Sequence, residues 1–69
     1  MNTETYKIEY LDVDLNVICT WDVVVPNGDV AINVADRYFK EYNKIDVTFG
    51  YRVTSKNINS IIKEYTVWN

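Results

Sequence analysis

The sequence has no histidine, one cysteine, one proline and two glycines in 69 residues. Each scarcity removes a class of protein. Cys19 alone cannot close an intramolecular disulfide, and without histidine a structural zinc site would need an unusual ligand set. The same thiol lacks an imidazole to activate it as a nucleophile. Two glycines leave no glycine-rich phosphate loop. No apolar run approaches the roughly 20 residues of a membrane span, and no basic-then-apolar pattern marks a secretory signal. A lone cysteine fits a reducing compartment. These absences predict a cytoplasmic protein that binds no metal and no cofactor and carries no catalytic residues. The chain also lacks internal repeats and low-complexity stretches.

At this length the chain forms one domain, residues 1–69, and a core of such size rarely yields more than about 3 to 5 kcal/mol of net stability. With disulfides and metals excluded, two compensations remain: a dense aromatic core or association with a second subunit. Ten aromatic residues (two Trp, six Tyr, two Phe) supply the first, and 48% hydrophobic content argues against disorder.

Charge is split along the chain. Residues 1–36 carry one base, Lys7, against seven acids (Glu4, Glu9, Asp12, Asp14, Asp22, Asp29, Asp36), a formal −6. Residues 37–69 carry six bases (Arg37, Lys40, Lys44, Arg52, Lys56, Lys63) against three acids (Glu41, Asp46, Glu64), a formal +3. Such a field gives partners a preferred direction of approach.

Tyr6, Ile8 and Tyr10 alternate with Lys7, Glu9 and Leu11, the period of a strand, and Val17–Val25 is again rich in strand formers. Setting Asp12 opposite Val17 across a four-residue loop pairs Tyr10 with Cys19, Ile8 with Trp21 and Tyr6 with Val23. The other face then pairs Lys7 with Asp22, Glu9 with Thr20 and Leu11 with Ile18. A one-residue slip would break both faces. In this register Cys19 is expected as a small buried hydrophobe and Trp21 as a core residue under the helix. Pro26-Asn27-Gly28 stops the second strand. Asp29 is then expected to cap a helix from about Val30 to Asn43, with an apolar stripe of Ala31, Val34, Ala35, Tyr38 and Tyr42 widened by Ile32 and Phe39.

Ile45, Val47, Phe49, Tyr51 and Val53 alternate as a third strand, in which Gly50 hints at a bulge or a close backbone approach. The last segment reads as a strand pairing Val53 with Ile61, Phe49 with Tyr65 and Val47 with Val67. Its isoleucines at 58, 61 and 62 also fit a helix. The expected fold class is α+β: a small β-β-α-β-β domain, one helix packed on a mostly antiparallel four-stranded sheet. The alternative is β-β-α-β-α.

Asp12-Val13-Asp14-Leu15-Asn16 has the opening spacing of a calcium loop. Val17 stands where that loop needs glycine and Val23 where it needs glutamate, so the segment reads as a hairpin turn. No nucleophile–base pair stands out. The acids of the first hairpin instead surround a small apolar spot, Leu11 with Ile18, and an apolar centre with a polar rim is the ordinary anatomy of a binding patch. Trp68, near the terminus, either folds against the sheet or, where exposed, is a natural interface anchor. Glu9, Leu11, Asp12, Asp14, Ile18, Asp22 and Trp68 are therefore the candidate partner-binding residues.

The expected function is a small non-enzymatic protein-binding module that inhibits a nucleic-acid-binding host protein through its acidic hairpin. The partner would be a protein with a basic surface. The richness in Asn, Ile, Tyr and Lys accompanies AT-rich coding DNA, as in viruses and mobile elements, and so points to an accessory protein acting in an infected host cell. The alternative is a weak nucleic-acid binder using the basic half, with Tyr51 or Tyr65 for stacking. A sequence pI near 4.6 opposes it. The small core and the two oppositely charged ends predict a homo-oligomer, most simply a homodimer.

Overall fold

Four strands and one helix follow one another in the order β-β-α-β-β in the computed structural model, which describes residues 2–42 and 48–67, the side chain of Tyr42 excepted. The alternation around Tyr6 makes β1 (Glu4–Leu11), paired antiparallel with β2 (Val17–Val25). The predicted register holds along the body of this hairpin: Tyr10 faces Cys19, Ile8 faces Trp21, Tyr6 faces Val23 and Lys7 faces Asp22. α1 (Gly28–Tyr42) follows, then β3 (Gly50–Ser55), antiparallel to β1, and β4 (Ser60–Thr66), antiparallel to β3. The spatial order is β2-β1-β3-β4. The last segment is thus a strand and not a helix. β3 begins at Gly50, later than expected, and Ile45, Asp46 and Val47 lie outside the described residues. No helix among the described residues is long and apolar enough to cross a membrane.

The helix start differs from the expectation. The Asn27 side-chain oxygen accepts the Val30 N–H at 3.1 Å and its carbonyl accepts the Ala31 N–H at 3.3 Å, so Asn27 rather than Asp29 is the cap. Asp29 sits in the first turn, where its charge still suits the helix dipole. Ala31, Ala35 and Phe39 form the buried line, while Tyr38 is displaced to the flank, edge-on to Trp21 at 5.3 Å. Two alanines let α1 lie close over β3 and β1, the strands it chiefly touches.

The sheet meets this line with Tyr6, Ile8, Tyr10, Tyr51 and Val53. Tyr51 stands among three rings, its centroid 6.5 Å from Tyr10, 5.6 Å from Phe39 and 5.7 Å from Tyr65. Pairs of this kind add about 0.5 to 1.5 kcal/mol each beyond the area they bury. The buried hydroxyls are satisfied: Tyr10 donates to the Ala35 carbonyl at 3.1 Å and Tyr51 to the Asp36 carboxylate at 3.3 Å. Cys19 lies opposite Tyr10 as expected, yet it is exposed rather than buried. β2 is an outer strand, and the helix flank reaches it at Trp21 through Tyr38.

The β3–β4 register also departs from expectation. Tyr51 faces Tyr65 and Val53 faces Lys63, two residues on from the predicted pairing, before a bulge sets Thr54 opposite Ile61. The cause is Gly50. A Cβ built there would stand 2.2 Å from the Tyr65 carbonyl oxygen, so only glycine lets β4 approach this closely. The bulge packs Ile62 against the core and leaves Ile61 exposed.

Burial, then the nearby Asp36 charge, pushes the Tyr51 hydroxyl up to about 12. An unfolded tyrosine ionises near 10. The folded state therefore holds this proton longer, so the stability it contributes is whole below pH 10 and is lost as pH rises from 10 to 12. Urea unfolding followed across that interval should show a falling midpoint, and Tyr51→Phe should flatten the fall.

Candidate functional site

The β1–β2 turn is tighter than its sequence suggested. The Asp12 N–H donates to the Asn16 carbonyl at 3.0 Å and the Leu15 N–H donates to the Asp12 carbonyl at 2.9 Å, leaving Val13-Asp14-Leu15 as a three-residue loop. The Asp12 carboxylate completes it: one oxygen accepts the N–H groups of both Asp14 and Asn16 at 2.9 Å. Aspartate favours this position because its short side chain bonds the backbone just ahead of it. Hydrogen bonds from both backbone and side chain thus fix the turn.

Three-residue hairpin loops end on a residue in the left-handed region, ordinarily glycine. Here that residue is Leu15, with φ of 66°. A bulky side chain there is a genuine outlier, and the left-handed conformation costs an L-residue roughly 1 to 2 kcal/mol. The β3–β4 hairpin supplies the contrast. Its left-handed residue is Asn59, with φ of 55°, a residue type that tolerates this backbone.

Leu15 gains little burial in return, being 49% exposed. Val13, Val17 and Ile18 are exposed beside it, so four large apolar residues crowd one turn. Asp14, also exposed, and the half-buried Asp12 supply the acidic rim.

The sequence-predicted site residues separate into groups. Asp12, Asp14 and Ile18 stand together at the turn. Leu11 does not join them. It is fully buried, because an irregularity after Tyr10 sets it opposite Val17 instead of Ile18. The apolar spot of Leu11 with Ile18 is therefore replaced by the turn itself. Glu9 and Asp22 lie on the sheet face away from the helix and already hold cations. Glu9 accepts from Arg52 at 3.3 Å, Arg52 reaches Glu64 at 2.9 Å, and Asp22 meets Lys56 at 3.2 Å. Trp68 lies outside the described residues.

Part of the basic set is also paired. Besides Arg52 and Lys56, Lys40 pairs with Asp36 on the helix at 3.0 Å, and Lys44 lies outside the described residues. Tyr65 is engaged with Phe39 and Tyr51 on the helix side of the sheet. Among the described residues no group of three metal-ligating side chains converges. Two surface depressions among the described residues are open and charged, one along α1 (Asn33, Asp36, Arg37, Lys40, Glu41) and one beside the β3–β4 turn (Thr3, Glu4, Thr5, Lys56, Asn57).

The chain is thus a small α+β domain with a hydrogen-bonded, apolar hairpin tip. Compared with known proteins, it matches no family model, no curated protein and no solved structure. A four-residue loop gives Val13, Leu15 and Val17 no special place. The pattern Asp12-x-x-Leu15-Asn16, read as a three-residue loop, would have placed Leu15 where glycine belongs.

Asp12→Ala removes the acceptor of two turn amides and should cost about 1 kcal/mol, the usual loss when such a side-chain acceptor is truncated. A urea titration reads this as a lower midpoint with unchanged slope.

Proposed function

We propose that this protein is a non-enzymatic protein-binding module whose contact element is the β1–β2 turn. Leu15 carries the reading. A leucine held exposed and left-handed costs stability where asparagine or glycine would not, and strain of this kind collects at functional sites. Val13, Val17 and Ile18 widen the apolar centre, and Asp12 and Asp14 give it an acidic rim. The partner chemistry that fits is an apolar cleft edged with Lys or Arg. Nucleic-acid-binding proteins offer such basic surfaces. The coding bias toward Asn, Ile, Tyr and Lys supports an accessory protein of a virus or mobile element that masks one.

The hairpin's formal charge overstates its acidity, since Glu9 and Asp22 hold Arg52 and Lys56. Contact energy should therefore reside in the apolar tip, with Asp14 tuning the rate of encounter. The test is affinity capture from host extract with the wild-type chain, Leu15→Asn and Asp14→Lys side by side, read by mass spectrometry. A protein retained by wild type, lost with Leu15→Asn and reduced with Asp14→Lys is expected. Equal retention by all three would remove the tip from the interface.

A further inference from the structure

We propose that β2 pairs with β2 of a second copy across a two-fold axis at Trp21, joining two four-stranded sheets into one of eight strands. Backbone direction is the first support. The Thr5 carbonyl accepts the Lys56 N–H, so the Thr5 main chain faces the β3 side. By alternation Tyr6, Ile8 and Tyr10 face β2, and directly opposed residues in an antiparallel ladder share that orientation. Val23, Trp21 and Cys19 therefore point their main chain at β1. Thr20, Asp22 and Val24 point theirs outward, where none of the described strands lies.

The second support is the contrast between the two edges. Natural proteins blunt sheet edges with lysine, proline, bulges or short strands. β4 has Lys63, Glu64 and a bulge at Ile62. β2 has nine residues, Val17–Val25, with one charge, Asp22, already tied to Lys56. Its proline comes after the strand, and from Cys19 to Val25 its pairing is regular.

Register follows from charge. An axis at Asp22 would oppose that carboxylate to its own copy, a destabilising arrangement. An axis at Trp21 sets Thr20 against Asp22 and Cys19 against Val23, and brings the two partly buried Trp21 rings together on the helix side beside Tyr38. The hydrogen-bonded pairs are then those of Thr20 with Asp22, whose main chains point outward. One nine-residue strand is a small interface, so the dimer should be weak and concentration-dependent.

Sedimentation from about 5 to 500 µM reads it, in roughly 0.15 M salt to screen the net −3 charge of each copy. The weight-average mass should climb from monomer toward dimer. Thr20→Pro removes an outward N–H, which an edge strand tolerates, and should hold the chain monomeric with its circular dichroism unchanged. Val24→Lys, at an exposed edge position, does the same if the proline variant fails to fold. Val23→Cys fixes the register. Its new thiol faces Cys19 of the other copy in a pair whose Cα atoms lie about 4.5 Å apart, within disulfide reach. Cys19 and residue 23 of one copy are four residues apart along a strand, about 13 Å, and cannot bond to each other. Val23→Cys should therefore give a covalent dimer on oxidation, while wild type should not. A monomer at the highest concentration overturns the proposal. So does a dimer that survives the edge variants, or one that Val23→Cys fails to lock.

Discussion

Replacing Leu15 by asparagine is expected to make the protein more stable and its partner capture weaker. The left-handed backbone costs leucine roughly 1 to 2 kcal/mol, most of which asparagine avoids. For a domain of this size about 1 kcal/mol raises the melting temperature by roughly 4 to 8 °C. Little packing is lost in exchange, because the leucine is half in water. The binding side runs the other way. Fully burying a leucine is worth about 1.5 to 3 kcal/mol, so covering the exposed half should contribute about 1 kcal/mol, roughly fivefold in affinity. A gain in stability joined to a loss of binding is the signature of a residue kept for contact. Thermal denaturation and capture on the same variant check both signs. A variant that loses stability would mean that Leu15 packs as structure.

Gly50→Ala is expected to do the largest damage of any single methyl group in this chain. The added carbon would meet the Tyr65 carbonyl oxygen at 2.2 Å and the Thr66 Cα at 3.0 Å. Both are backbone atoms of β4, so relief requires the strand to move, and Tyr65 would leave Tyr51 with it. Overpacking of this kind costs on the order of 3 kcal/mol, close to the whole stability expected of so small a core. Gly28→Ala is the control. Its Cβ meets Ile62 Cδ1 at 2.9 Å, the flexible tip of a side chain that can swing aside, and alanine favours a helix start over glycine. Circular dichroism should find Gly50→Ala largely unfolded and Gly28→Ala close to wild type. Equal stability in the two would contradict the close approach of β3 and β4.

The first hairpin and the helix were legible because both have strong periodicity and one buried side each. Tyr6, Ile8 and Tyr10 against Cys19, Trp21 and Val23 allowed one register, and the structure has it. β4 was placed as a strand by its residue types, but its register was not legible. Counting apolar matches ignored that Gly50 permits a backbone approach no other residue allows, and that a bulge packs Ile62 against the core. Cys19 was placed on the correct side of the sheet and wrongly buried, since a pattern of alternation does not say how far a helix reaches over an outer strand. The turn was misread for a related reason. The Asp12 side chain closes a shorter loop than the strand pairing alone implied, and the bulge that repairs the register hides Leu11 while displaying Val17 and Ile18.

Amide chemical-shift mapping of the isotopically labelled chain, titrated with its captured partner, tests most directly whether the hairpin tip is the contact element. Shifts and lost intensity should centre on Val13 to Ile18 and spare the outer face of α1 at Arg37 and Lys40. A footprint centred on that helix face, or on the Arg52–Glu64 side of the sheet with the tip unmoved, would contradict it.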